Sequence, residues 1–337
     1  MTKGTKIFAV IISIILALAI AWGTFLSIGF LVFGRTYIHN SQYDVWVAGV
    51  SVTRMNKDDI LGNGTVSYNP STKTLIFDNA VIECEGSAVA AETDIRIALI
   101  GKNKVVCKNS DYVSAIYAAE ENINHDISIV GDGSLTLEIQ NVSDSAQGIV
   151  ADDLTISSDI TITTGNCENI LNGIVCGSSL LVVNGANVTV NNGAAKHSTA
   201  VRVRGNAFFE DGTSMTVISG SGTEDTCKGF SVNGDLVLVK SAILNVSIDD
   251  EAAKTGECIR VTGSFDIGTG ANVTASAKKT YAIECFGSVK ANAGATVTAQ
   301  SENDVPDIFC YGAFVNYGAA VNGNVDALCG IHERDID

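Results

Sequence analysis

Three arginines and three aromatic residues fall at corresponding places in a recurring short segment of this sequence: Arg202, Arg204, Arg260, Phe286, Phe309 and Tyr311. A guanidinium holds a carboxylate through paired, coplanar hydrogen bonds. An aromatic ring offers a flat apolar face to the C–H side of a sugar, with its polar neighbours fixing orientation. Stacked side by side, the segments would merge these six residues into one exposed basic–aromatic strip, which is harder to explain away than a single exposed charge. The competing reading is that a loop or a terminal cap covers Phe286, Phe309 and Tyr311.

Reaction chemistry finds less support. Glycoside hydrolysis needs two carboxyl groups about 5–10 Å apart, and the segment's exposed side offers only Asp152 and Glu284, five segments apart. Acidic runs occur at Asp152-Asp153, Glu224-Asp225 and Asp249-Asp250-Glu251. The last lies in a loop of variable length and could hold calcium through its carboxylate oxygens; the alternative is a solvated acidic loop. The four histidines (His39, His125, His197, His332) are scattered and no Cys-x-x-Cys occurs, so zinc is disfavoured. No Ser/His/Asp, Cys/His or phosphate-cradling glycine motif stands out. The expectation is a protein without hydrolase or lyase activity.

The elements that would carry the strip follow from a repeat. Taking Val89, Ile116, Ile149, Ile174, Val201, Phe230, Ile259, Ile283 and Ile308 as anchors, the steps are 27, 33, 25, 27, 29, 29, 24 and 25 residues. Gly205, Gly234, Gly263, Gly287 and Gly312 come four positions after an anchor. Apolar residues follow at plus six and mostly plus eight, and Gly185, Gly212, Ser241, Gly270 and Gly294 stand at plus eleven. Then one pattern recurs as Val188-Thr189-Val190, Met215-Thr216-Val217, Leu244-Asn245-Val246, Val273-Thr274-Ala275 and Val297-Thr298-Ala299. Each repeat therefore reads as three short alternating strands with glycine-marked bends and one variable loop.

No helical stretch long enough for a βαβ crossover intervenes, and the period is too short for a propeller blade. What remains is an all-β fold: a parallel β-helix, or β-solenoid, of about ten three-strand coils, with a β-sandwich as the alternative. Equivalent residues would then form columns. One outward column would hold Thr136, Thr161, Thr189, Thr216, Asn245, Thr274, Thr298 and Asn322; one inward column would hold Cys176, Cys285 and Cys310 beside Val203, Val232 and Val261. In that column cysteine acts as a small apolar residue. Only a short polar tail follows Cys329, with no clear carboxy-terminal cap.

Composition agrees. The 337 residues carry 37 acidic against 21 basic side chains, a net charge of −16, with 46% hydrophobic and 17% charged residues, which excludes disorder. The acidic excess argues against a nucleic-acid partner, whose phosphates demand the opposite balance. Residues 7–33 contain no charge over 27 positions, enough for a membrane-spanning helix. Lys3 and Lys6 before it, against Arg35 after it, put the tail in the cytoplasm and the remainder outside. A cleaved signal peptide is the alternative, with small-residue cleavage sites at Ala17-Leu18-Ala19 or Ala19-Ile20-Ala21. Ala19, Gly23 and Ser27 would line one smooth stripe for self-association of the helix. The organisation expected is a tail (1–6), a transmembrane helix (7–33), a linker (34–43) and a β-helix domain (44–337), of which 44–83 form the first turns or a cap.

The stretch Tyr43-Asp44-Val45-Trp46-Val47-Ala48-Gly49-Val50, with Gly64-Thr65-Val66-Ser67-Tyr68-Asn69-Pro70 and Thr74-Leu75-Ile76-Phe77-Asp78-Asn79-Ala80, resembles the opening of a group of bacterial surface proteins common in Clostridia. These are carbohydrate-binding domain-containing proteins with a right-handed, pectate-lyase-like parallel β-helix. The resemblance implies a non-catalytic surface binder of a polysaccharide or cell-surface glycan, with or without calcium. The different-class alternatives are a structural stalk or adhesin with a protein partner and a divergent polysaccharide lyase.

Overall fold

The computed structural model describes residues 43–120 and 123–333. The expected cytoplasmic tail, the apolar span and its Ala19-Gly23-Ser27 stripe lie outside the described residues. Among the described residues, no helix is long and apolar enough to cross a membrane.

The chain winds into an all-β parallel β-helix of about nine turns, rather than about ten. The first face consists of the anchor strands, among them Ile170–Cys176, Ala195–Val203, Thr255–Val261, Ile283–Cys285 and Ile308–Cys310. The second is built of short strands such as Leu154–Ile156, Leu180–Val182 and Ala207–Phe209, and the third of strands such as Asp159–Thr164, Asn187–Asn192 and Ser214–Ser219. Every anchor sits directly on the next: Val89 on Ile116, then Ile149, Ile174, Val201, Phe230, Ile259, Ile283, Ile308 and finally Val325. The threonine column from Thr136 to Asn322 is likewise in register. Parallel pairing repeats the coil every ~4.8 Å, so the apolar columns fuse into one continuous core. All nine expected anchors are fully buried, as are Cys176, Cys285 and Cys310 in their column.

The two glycine columns do different work. At plus eleven, Gly185, Gly212, Gly270 and Gly294 have φ near +70°, a conformation in which Ser241 (φ 60°) is the one side-chain-bearing substitute. At plus four, the backbone angle is ordinary and the constraint is proximity. A Cβ on Gly263 would lie 2.7 Å from the Gly234 carbonyl, and one on Gly312 would lie 2.6 Å from that of Gly287. Each of these glycines donates its N–H to the coil before, as Gly263 does to Gly234 at 2.9 Å.

Two antiparallel hairpins close the amino-terminal end. Val45–Val47 pairs with Val50–Ser51 and covers Val89–Ala91 on the first face. Val66–Asn69 pairs with Thr74–Asp78, which starts the second face. At the other end the expected polar tail instead forms the strand Ile331–Glu333, the last rung of the second face.

A polar ladder ties the bend between the first two faces. Asp94 accepts the Asp126 N–H, Asp126 accepts that of Asp153, and Asp153 accepts both the N–H (2.8 Å) and the hydroxyl (2.6 Å) of Ser179. Chiefly through the Ser179 hydroxyl, the Asp153 carboxyl is held below the ordinary aspartate value. Its contribution to stability is therefore present above that ordinary value and is lost as pH falls through the lowered one. We expect Asp153→Ala to lower stability by about 1–2 kcal/mol near neutral pH, with the deficit shrinking at a pH below the ordinary aspartate value. Urea midpoints at both pH values check this.

Candidate functional site

The outward positions of the first face are set by a break in strand alternation. The anchor and the residue before it are both buried: Ala200 with Val201, Gly229 with Phe230, Cys258 with Ile259. From Ala88 to Ala282 that pre-anchor column holds only glycine, alanine and cysteine, and it is tight: a Cβ on Gly229 would lie 2.7 Å from the Cys258 carbonyl. The side chains two before and one after the anchor consequently share the solvent side.

After the anchor the outward column runs Val175, Arg202, Ser231, Arg260, Glu284, Phe309 and Asp326, each paired with the next. Arg204, Phe286 and Tyr311 follow at the adjoining bend. The six expected residues thus share one face but fall into two groups. Arg260, Phe286, Phe309 and Tyr311 are in mutual contact. Arg202 lies two coils from Arg260, and Arg204 three coils from Phe286.

Within the first group the rings pack on one another. Phe286 stacks on Tyr311 (centroids 4.5 Å, 12° between planes), Tyr281 stacks on Phe309 (5.0 Å, 17°), and Phe309 meets Tyr311 edge-on. The Arg260 guanidinium lies 4.7 Å from the Phe286 centroid, within cation–π range. Its Nε is 3.6 Å from Glu284 and 3.8 Å from Glu257, and Lys228 stands 2.9 Å from the other Glu257 oxygen. Burial, the largest influence, raises the Glu284 carboxyl above the ordinary glutamate value; Arg260 pulls it down and Glu257 pushes it up.

Arg260 is thereby neutralised and serves to hold the aromatic shelf, of which Tyr311 is 41% exposed. Among the described residues, the exposed Arg202 and Arg204 have no ion-pair partner.

Lys228, Glu257 and Tyr281 escaped the sequence reading. Strict alternation assigns the position two before the anchor to the interior, and only the doubled buried pair turns it outward. Glu257 and Glu284 also correct the expectation that this face lacks neighbouring carboxylates. A second feature had no sequence signal: a groove of about 590 Å³ on the second face, lined by Arg96, Ser128, Asp132, Thr155, Ser157 and Asn184 among others. Its lining residues are ordinary outward positions of separate coils.

The acidic loop does not fit calcium. Asp250 is buried and accepts the N–H groups of Lys278 (2.8 Å) and Lys279 (3.0 Å), while Lys278 Nζ bridges Asp249 (3.0 Å) and Glu251 (3.1 Å). The three carboxylates diverge, and lysine holds two of them. Among the described residues, no group of three or more His, Cys, Asp or Glu is placed to hold a metal ion.

No family model, curated protein or solved structure matches this chain. Of what the resemblance to bacterial surface proteins implied, the parallel β-helix is what the structure shows.

Asp250→Ala removes the acceptor of two part-buried backbone donors. It should lower stability by about 2–3 kcal/mol, whereas saturating calcium should leave the melting temperature of the unaltered protein in place. Calorimetry in calcium and in chelator measures both.

Proposed function

We propose that this chain is a membrane-anchored, extracellular β-helix that binds carbohydrate without cleaving it and favours acidic polysaccharides. The observation that carries the reading is the first face itself: two exposed arginines without ion-pair partners, in a protein of net charge −16, in line with a braced aromatic shelf. A sugar residue advances a polysaccharide by about the length of one coil. A chain lying along the solenoid axis would set carboxylates against Arg202 and Arg204 and a C–H face against Tyr311. The overall negative charge repels such a polymer at long range, but screening at about 0.15 M salt confines that repulsion to roughly 8 Å. The export of the domain rests on the apolar segment 7–33 and its flanking charges.

The neighbouring Glu257 and Glu284 favour a second reading, cleavage of the glycan, with Glu284 as the proton donor. Binding is preferred because both carboxylates are engaged by Arg260 and Lys228. New reducing or unsaturated ends that vanish in Glu284→Gln would establish cleavage.

For the binder, the Arg202→Ala/Arg204→Ala double variant should lose about tenfold in uronan affinity and flatten its salt dependence. Tyr311→Ala should weaken acidic and neutral glycans alike, since stacking ignores charge. A glycan array with titration of the hits measures both, and unchanged uronan affinity in the double variant overturns the site. Protease shaving of intact cells should release the domain; a domain left untouched would overturn the export.

A further inference from the structure

Cys84 and Cys107 are register partners on adjacent strands of the third face, and their sulfurs lie 3.6 Å apart. Strand spacing of about 4.8 Å puts such Cα atoms inside the 4.4–6.8 Å range that a disulfide spans. Cys107 is fully buried, whereas Cys84 is partly exposed. The position of Cys84 sets the pair apart. Its strand, Val81–Glu85, is the first rung of the third face and, among the described residues, pairs with a strand on one side only. The first and second faces carry antiparallel hairpins at this end; the third does not. An uncovered edge strand frays and recruits other chains unless it is protected.

We propose that Cys84 and Cys107 form a disulfide that staples the uncovered edge of the amino-terminal cap to the second coil. The reaction needs a disulfide oxidant, such as oxidised glutathione. The Cys84 thiolate attacks one sulfur of glutathione disulfide, giving a mixed disulfide and releasing one glutathione thiolate. Cys107 then gives up its proton to that thiolate and attacks Cys84 Sγ, expelling the second glutathione as a thiolate, which takes up the proton that Cys84 released on ionising. Two protein thiols are oxidised by two electrons, one glutathione disulfide is reduced, and two glutathione thiols leave.

The asymmetry of the pair suits this order. The hydrogen bond with Cys107 holds the Cys84 thiol below the ordinary cysteine value, while Cys107 is raised far above it by that same contact and by burial. The exposed sulfur is the nucleophile towards the oxidant, and the buried one resolves the mixed disulfide. Cys285 and Cys310 provide the internal control. They are also register partners on neighbouring coils, but both are fully buried, and an oxidant has no path to either.

The test uses the full chain in detergent, reduced and then incubated with glutathione disulfide. Thiol titration under denaturing conditions should fall by at least two from nine, and non-reducing peptide mapping should recover a cross-linked Cys84–Cys107 peptide free of glutathione, distinct from any glutathione adduct on the exposed Cys329. Oxidation should raise the melting temperature by roughly 5 °C, a gain absent from Cys84→Ser and from Cys107→Ser. Nine persisting thiols, a stable mixed disulfide on Cys84 that never closes, or cross-linking of Cys285 to Cys310 instead would each overturn the proposal.

Discussion

One backbone hydrogen-bond register, carried from coil to coil, governs this molecule. Each turn donates to the turn before it at a fixed height, and the side chains have no freedom to renegotiate it. The register shifts, between Val142 and Ser145 and between Ala195 and His197, lie in the variable segment ahead of the anchor strand. The loops absorb differences in repeat length, so the three faces do not have to. A residue's chemistry is then shared with whatever stands directly above and below it. That is how Arg260 comes to face Glu284 on the next coil although 24 residues separate them in sequence.

The same constraint sorts residues by size and by charge. Where backbones approach closest, at the plus-four bend from Gly205 onwards and at the pre-anchor corner from Ala88 to Ala282, the residues are glycine, alanine or cysteine. Where side chains stack outwards on the first face, unlike charges meet on neighbouring rungs, as Lys228 on Glu257 and Arg260 on Glu284, whereas the stacked Asp94, Asp126 and Asp153 are tolerated because backbone N–H groups stand between them. The Lys228, Glu257, Arg260 and Glu284 cluster is the extreme case: two cations and two anions woven over adjacent rungs, with an aromatic shelf braced against them. In such a linear array stability is approximately a sum over coils and their interfaces. Ends are therefore the weak points, and the cap hairpins and edge strands matter more than any single core residue.

Much of the fold could be read from the repeat because burial imposes a strict pattern on each strand. The anchor column, the threonine column and the cysteine–valine column all stand in the register their spacing implies. The hidden parts were those set by local departures from that pattern. The paired buried residues at each corner, such as Cys258 and Ile259, invert the side on which the preceding residue emerges. Glu257, Lys228 and Tyr281 were invisible for that reason. The plus-four glycines mark bends as expected, but what demands glycine there is a neighbouring carbonyl and not a special backbone angle. Asp249-Asp250-Glu251 had the composition of a cation loop, but Lys278 and two backbone amides, distant in sequence, claim its oxygens.

The central claim is that an acidic glycan lies lengthwise on the first face, its carboxylates on Arg202 and Arg204 and its apolar side on the ring shelf. Crystals of the protein soaked with a short uronan oligosaccharide test this most directly. The account predicts ligand density running parallel to the solenoid axis from Arg202 towards Tyr311, with a carboxylate within hydrogen-bond distance of an arginine. Density lodged instead in the second-face groove beside Arg96, with the first face bare, would contradict it.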